Sequence, residues 1–311
     1  MTTPADYPTR NRRYAVPDVI LLATDIGDAD YLIPYAIVQA RASDAKLILA
    51  HVIAPVESLP LSPIAIPSGE TPATEEEVKR TLEGMAAKVR GGGVACEIMV
   101  RDGSPQHVVP EMVKSSHADR LILGTRGRPL LARLLLGSVA QEILDKAEVP
   151  VCTIGPHAHR TSPPETPQRI LHPVSFRPGY EESACLALEI ARCYGAQITL
   201  LHVLERHPQG QEQDSGKVEQ WARSELQRLI PEGAPQCTYV NAQVEVGKVA
   251  EQILNVADEM SADLVVLGID KNGSFWPIGG ERSAHDIIAR AKCPVLTIRH
   301  TLSPVPCPEV S

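Results

Sequence analysis

Residues 121–154 read LILGTRGRPLLARLLLGSVAQEILDKAEVPVCTI. Leu121-Ile122-Leu123 is a short apolar run that stops at Gly124, as a buried parallel strand does. Gly124, Gly127 and Gly137-Ser138 then follow at the spacing G-x2-G-x9-G-S. Ser138 stands where a helix should start, and Gln141, three residues on, completes a capping-box pattern. Behind it Val139, Ala140, Ile143, Leu144 and Ala147 form one apolar helical face. Pro150 opens a last strand over 151–154. The stretch therefore runs strand, glycine loop, helix, strand. Glycines let backbone N–H groups approach a ligand with no Cβ in the way. A helix N-terminus adds unpaired donors and partial positive charge. Together these predict a phosphate cradle, to which Arg126, Arg128 and Arg133 add charge.

Working outward, 19–23 is a buried-type strand ending at Thr24-Asp25-Ile26-Gly27, and a helix follows over 29–42. The second strand is 47–52. A proline-rich loop, 55–72, leads to Thr74-x-x-Glu77, a capping box for a helix through Val89. Glycines 91–93 end that helix. The third strand spans 94–100, and Gly103-Ser104-Pro105 leads into a helix over 106–116. Strands alternating with helices imply a parallel sheet covered on both faces.

The pattern then repeats. ASDAKLILAHV, ending at Val52, matches CYGAQITLLHV, ending at Val203. Gly103 pairs with Gly247, Gly124 with Gly268 and Pro150 with Pro294, each 144 residues apart. His51 and His202 lie 151 apart, the seven extra residues falling to the longer proline-rich loop of the first half. A constant register over a whole βα array indicates tandem duplication. The reading is one domain over 1–157, a Pro/Ser/Thr-rich linker over 158–168 and a second domain over 169–311. His157 and His159, beside and in that linker, have no third ligand in view and read as solvated.

At 311 residues there is room for two domains, and 43% hydrophobic with 22% charged residues fits a soluble globular chain. A net charge of −8 and 4% aromatics give no electrostatic or stacking case for nucleic acid, nor for an anionic membrane surface. No run reaches transmembrane length. The polar first 18 residues carry no apolar signal core and read as a flexible arm. The seven cysteines are scattered, with no C-x-x-C, and read as reduced thiols of a cytoplasmic protein.

The strand ending in Asp25, the LAHV strand, and the G-x2-G-x9-G-S stretch followed by VPV resemble the universal stress protein family, once per half. The resemblance implies an α/β fold: two tandem open, twisted five-stranded parallel sheets of order 3-2-1-4-5, Rossmann-like and similar to the adenine nucleotide alpha hydrolases. Such an order reverses direction between strands 1 and 4, and open α/β sheets bind ligands beyond the strands' carboxyl ends at that point. By resemblance to the ATP-binding branch, the ligand residues are Ala23, Thr24, Asp25, Val52, Leu123, Gly124, Arg126, Gly127, Gly137, Ser138 and Val139. ATP is the implied ligand, with Mg2+ carried by its phosphates and no dedicated metal site. Asp25 accepts from ribose hydroxyls or an adenine amino group; Ser138 offers its hydroxyl and N–H to phosphate. The implied role is a stress-responsive, nucleotide-dependent sensor or regulator. Slow ATP hydrolysis or phosphoryl transfer, and a nucleotide-free scaffold, are the competing readings. Asp28, Asp30 and His107 are nearby titratable groups, but no pattern aims them at a γ-phosphate, no Walker lysine is present, and no catalytic residue is assigned.

Plainer readings stand beside these. Asp25 also suits a cap for the helix at Ala29, Gly124 and Gly127 suit turns, and Ser138 suits a helix cap in any case. In the second half Ser175 stands where Asp25 stood, Lys271 replaces Gly127, and Glu281-Arg282 replace Gly137-Ser138. A glutamate at the phosphate position and added Cβ atoms argue that this copy does not bind ATP in the family's manner; the alternative is a helix start shifted by one beside Gly279-Gly280, capped by Ser283-x-x-Asp286, with Lys271 neutralising phosphate. The family pairs domains through the strand after VPV, so 151–154 and 295–298 are expected to cover each other's edges in a pseudo-dimer. A homodimer of the tandem chain is left open.

Overall fold

The computed structural model describes residues 13–55, 74–125, 137–158, 164–205, 215–230, 239–269 and 282–299. The first half runs β1 (Val19–Ala23), α1 (Ala29–Ser43), β2 (Lys46–Ile53), α2 (Glu75–Gly91), β3 (Cys96–Asp102), α3 (Pro105–Ser115), β4 (Arg120–Gly124), α4 (Ser138–Lys146) and β5 (Val151–Ile154). The second half repeats it: β6 (Arg169–Pro173), α5 (Tyr180–Tyr194), β7 (Gln197–Leu204), α6 (Ser215–Arg228), β8 (Val240–Val246), α7 (Val249–Glu259), β9 (Leu264–Ile269), α8 (Arg282–Arg290) and β10 (Val295–Arg299).

Each half has the expected order 3-2-1-4-5, but the two sheets are one. The ten strands lie in the order β3-β2-β1-β4-β5-β10-β9-β6-β7-β8. Every pairing is parallel except β5 with β10, which is antiparallel. Its register sets Val151 against Thr297, Cys152 against Leu296 and Thr153 against Val295. Cys152 and Leu296 are equivalent positions of the repeat, so a pseudo-twofold axis passes between them. The flanking threonines obey it: Thr153 Oγ1 donates to Val295 O and Thr297 Oγ1 to Val151 O, both at 3.1 Å. Both side chains are buried, so each hydroxyl needs such a partner.

Side chains alternate across the sheet and feed two core layers. Ile20, Leu22, Leu49, Ile122, Ile154, Val266 and Leu296 face α1, α2, α5 and α6. Leu21, Leu121, Leu123, Val151, Leu171, Val265 and Val295 face α3, α4, α7 and α8. Each layer contains residues of both halves, so the hydrophobic core runs through the seam.

The repeat extends to single atoms. Gly103 and Gly247 take φ of +132° and +156°, and their N–H groups donate to Ile53 O and Leu204 O. A Cβ there would lie 2.8 Å from Val108 Cγ2 or 2.6 Å from Gln252 Nε2. Asp119 Oδ2 accepts from the N–H of Asp18 and Val19, and Asp263 Oδ2 accepts from those of Gln168 and Arg169. Each carboxylate clips the start of its half's central strand.

The capping box at α2 is present: Thr74 Oγ1 accepts from Glu77 N, and Glu77 Oε2 accepts from Thr74 N. The one expected at α4 is not. Gly137 is the N-cap and Ser138 the first helical residue, with no side-chain cap bond. Gln141 N bonds Gly137 O, so the helix starts where glycine, not serine, leaves the loop. The cysteine expectation also needs correction. Cys96, Cys152, Cys193 and Cys293 form no disulfide, whereas Cys185 is disulfide-bonded. Among the described residues, no helix is long and apolar enough to cross a membrane.

Asp119→Ala leaves two strand-start N–H groups without their acceptor. It is expected to lower unfolding free energy by about 2 kcal/mol, read from urea denaturation. Asp119→Asn, which keeps an acceptor oxygen, loses less.

Candidate functional site

The chain leaves β1 for β2 on one side and returns to β4 on the other. Ala23 pairs with Ala50 of β2 and with Leu123 of β4. Ala23, Thr24, Asp25, Val52, Leu123 and Gly124 therefore lie at one carboxyl edge. Thr24 and Leu123 are buried, Val52 and Gly124 half-buried, and Asp25 is exposed. Arg126 and Gly127, like Arg128 and Arg133, lie outside the described residues.

The β1–α1 loop is held by its own polar groups. Thr24 N donates to Ala50 O, and Thr24 O accepts from His51 Nδ1 at 2.8 Å. That acceptor can only receive, so His51 carries its proton on Nδ1 when neutral. Thr24 Oγ1 accepts from Ile26 N at 3.0 Å and donates to Asp28 Oδ1 at 2.5 Å. Asp28 N donates to Asp25 Oδ1 at 2.9 Å, and Asp25 N to Asp28 Oδ1 at 3.3 Å. Asp25 thus braces the turn before α1 through one oxygen, which is the capping reading in part, while its carboxylate stays open to solvent. Ile26 sits at φ +72°, unusual for a β-branched residue. Its N–H bond to Thr24 and its packing on the core hold it there.

Asp28 is the residue whose role the sequence does not show. It is the N-cap position of α1, and a Cβ on Gly124 would fall 2.5 Å from its Oδ2 and 3.1 Å from Leu32 Cδ1. Gly124 is therefore small so that the first turn of α1 can approach β4, a packing reason distinct from ligand access. Burial raises the Asp28 carboxyl to about 6; the Thr24 hydroxyl opposes this and the Asp25 charge adds to it. The only advance sign was the D-x-x-D spacing just ahead of the helix. Asp30 is exposed on α1, and His107, also exposed, points its Nε2 at Glu142 Oε1 3.9 Å away. Among the described residues, no group of three or more His, Cys, Asp or Glu could hold a metal.

The other wall is the start of α4. A short turn over 147–150 joins its last turn to the start of β5, so its C-terminus lies at the sheet's amino edge. Nine residues span roughly 13 Å, which carries its N-terminus toward the carboxyl edge. Gly137, Ser138 and Val139 are all exposed, Val139 by 41%. Among the described residues a Cβ on Gly137 would meet nothing within 4 Å, so none of their contacts asks for glycine there. The first-turn N–H groups have no intrahelical acceptors.

The second half is built differently at the same place. Ser175 Oγ accepts from Arg177 N, and Gly179 at φ +92° occupies the cap before α5, so no carboxylate stands at the turn. Phe176, at φ +55°, takes the place of Ile26. Its ring lies 4.4 Å from that of His202, 5.2 Å from Trp221 and 5.4 Å from Tyr180. Burial lowers the His202 pKa, partly offset by its bond to Val174 O. Rings replace the hydrogen-bonded carboxylates. Lys271 and Glu281 lie outside the described residues.

Comparison with known proteins agrees with this architecture. The model of the universal stress protein family matches residues 18–154 and again 167–299. A universal stress protein of Mycolicibacterium smegmatis is 26% identical over 301 residues, covering 90% of this chain and 96% of that protein. The crystal structure of a universal stress protein from Archaeoglobus fulgidus superposes with a TM-score of 0.64 at 18% identity, covering 92% of this chain and 98% of that one. A universal stress protein from Archaeoglobus fulgidus solved in complex with dAMP covers 42% of this chain and 97% of its own, at 23% identity and a TM-score of 0.31. The chain belongs to the universal stress protein family and carries the family's domain twice.

Proposed function

We propose that the first half binds ATP at the β1/β4 crevice and that the protein acts in the cytoplasm as a nucleotide-dependent regulator of a stress response. The observation that carries this is the exposed Asp25 carboxylate, fixed by the Thr24–Asp28 hydrogen bonds at the end of β1, with the open N-terminus of α4 directed to the same edge. Asp25 offers acceptor oxygens to ribose or adenine, and Val52 and Leu123 supply apolar surface for the base. Gly137, Ser138 and Val139 present backbone donors to phosphate, and Mg2+ travels with the phosphates. The second half, with Ser175 and the Phe176 ring cluster in place of the carboxylate loop, serves as the structural partner. Slow ATP hydrolysis is a second reading favoured by one observation, the carboxyl of Asp28 poised near neutrality in the crevice.

Heat-denatured protein is expected to release an adenine nucleotide, and calorimetric titration to give one ATP site per chain. Asp25→Ala should weaken that site at least about ten-fold without unfolding the protein. ADP and AMP titrated in parallel rank the contribution of each phosphate, and dAMP against AMP reads that of the 2′-hydroxyl. No bound nucleotide and no heat with any of them would overturn the proposal. Turnover above a blank that is lost in Asp28→Asn would instead establish the hydrolase.

Asp28 also sets a pH dependence. Its folded pKa of about 6 lies above the ordinary 3.8, so between those values the folded protein holds more protons than the unfolded chain. Stability therefore falls as pH rises from about 4 to 6 and levels off above. Asp28→Asn should remove that slope and be about 1–2 kcal/mol more stable at pH 8, after allowance for solvent screening. ATP affinity should weaken over the same window as a second carboxylate ionises beside Asp25 in the crevice and adds to the negative charge facing the nucleotide, and Asp28→Asn should flatten it.

A further inference from the structure

The opposite edge of the sheet holds a second polar constellation, at the seam between the halves. Arg120, the first residue of β4, is 1% exposed. Its Nη1 donates to Gln39 Oε1 at 3.0 Å and to Tyr194 Oη at 3.2 Å; Nη2 donates to Tyr14 O at 2.8 Å and Ala15 O at 3.4 Å. All four acceptors are neutral. Its Nε has no hydrogen-bond partner, and no carboxylate lies within ion-pair distance of the guanidinium among the described residues. A buried cation without a counter-charge costs several kcal/mol, and protein structures ordinarily pair it.

Arg120 opens into a cleft of about 530 Å3, its solvent-open mouth included. Only about 30 Å3 of it admits the centres of water-sized groups, room for about two. The cleft straddles the pseudo-twofold axis, and its two walls differ because the repeat has diverged there. One wall carries Arg120 and Gln39; the matching positions on the other are Leu264 and Ile190, and Leu264 lines the cleft. Pro167 and Pro294 add apolar lining, and Lys292, bonded to Asp258 Oδ2 at 2.6 Å, adds a second cation. Asp263 also lines it, but its carboxylate is turned to the N–H groups of Gln168 and Arg169.

We propose that this cleft is a second ligand site, for a small monocarboxylate whose charged head meets Arg120 and whose apolar body lies along Leu264 and the prolines. The head is small enough for the cleft's interior and neutralises the buried guanidinium, whose Nε–H is the one donor left without a partner. The opposite, apolar wall selects a hydrocarbon or aromatic body over a second charge. Because Tyr194 comes from the second half and Gln39 and Arg120 from the first, the site exists only where the halves meet.

The test titrates full-length protein with sodium butyrate and sodium benzoate at pH 7.5, by calorimetry and thermal shift, against chloride at equal ionic strength and against butyramide. Saturable binding of the carboxylates, with no shift from chloride or butyramide, is expected. Arg120→Leu installs the residue that the second half carries at this position, and so should fold; binding should fall at least about ten-fold, while ATP titration is unchanged. Arg120→Lys should fall between. Gln39→Ile, matching Ile190, is the second variant should Arg120→Leu fail to fold, and it too should weaken binding. Equal binding by butyramide, an equal shift from chloride, undiminished binding in a folded Arg120→Leu or Gln39→Ile, or no saturation up to about 20 mM would each overturn the proposal.

Discussion

The antiparallel pairing of β5 with β10 is the contact on which the rest depends. β5 has four residues, all buried. As the outer strand of a five-stranded sheet it would expose a row of backbone groups and half of an apolar strand to water, and a strand so short makes a weak edge. Pairing it with its own repeat removes both edges at once. The hydroxyls of Thr153 and Thr297 complete the pairing symmetrically, in an environment where an unmet hydroxyl would be costly. Since each core layer crosses this line, the halves bury apolar surface against each other as one body.

That frame explains why the two carboxyl edges could diverge. A sheet secured at its seam leaves the β1–α1 loop free to vary with little effect on the core. In the first half the loop spends its polar groups on one another, and Thr24, Asp25 and Asp28 form a closed set around a left-handed Ile26. In the second half the same left-handed position holds Phe176, whose ring packs on His202 and Trp221. The backbone shape is common to both; the chemistry presented is not. A loop fixed by hydrogen bonds keeps a carboxylate at the surface, whereas a loop fixed by aromatic packing presents rings.

Much of this was legible in the sequence, for physical reasons that can be named. Apolar runs of strand length give the strands, and the constant offset from Gly103/Gly247 to Pro150/Pro294 gives the duplication; the strand order and the seam follow only from the family resemblance. The start of α4 was misplaced by one residue because serine is the stronger capping type, yet glycine is also accepted at an N-cap and the loop geometry decides. Asp25 is legible because its position follows from the end of β1. Asp28 is not, because its burial comes from the approach of α1 to Gly124, a distance no spacing rule contains. Arg120 is less legible still. At the head of a strand it looks like a solvated charge, and only Tyr194, 74 residues away in the other half, helps to enclose it.

Arg120 and Gly124 are the two ends of one five-residue strand, which makes β4 the element shared by both candidate sites. It is hydrogen-bonded to β1 on one side and to β5 on the other, so it moves only if its neighbours do. β5 is in turn held by β10 and by the threonine pair. The second half thus shapes the first-half crevice without entering it: it fixes the strand whose glycine admits Asp28, and through Tyr194 it shields the cation at the far end. A duplicated domain whose second copy has lost the carboxylate loop is then no redundant passenger. Its intact strands are what hold β4 rigid between the two edges, and a single half, with β5 exposed and Arg120 open to water, would keep neither site in the form described.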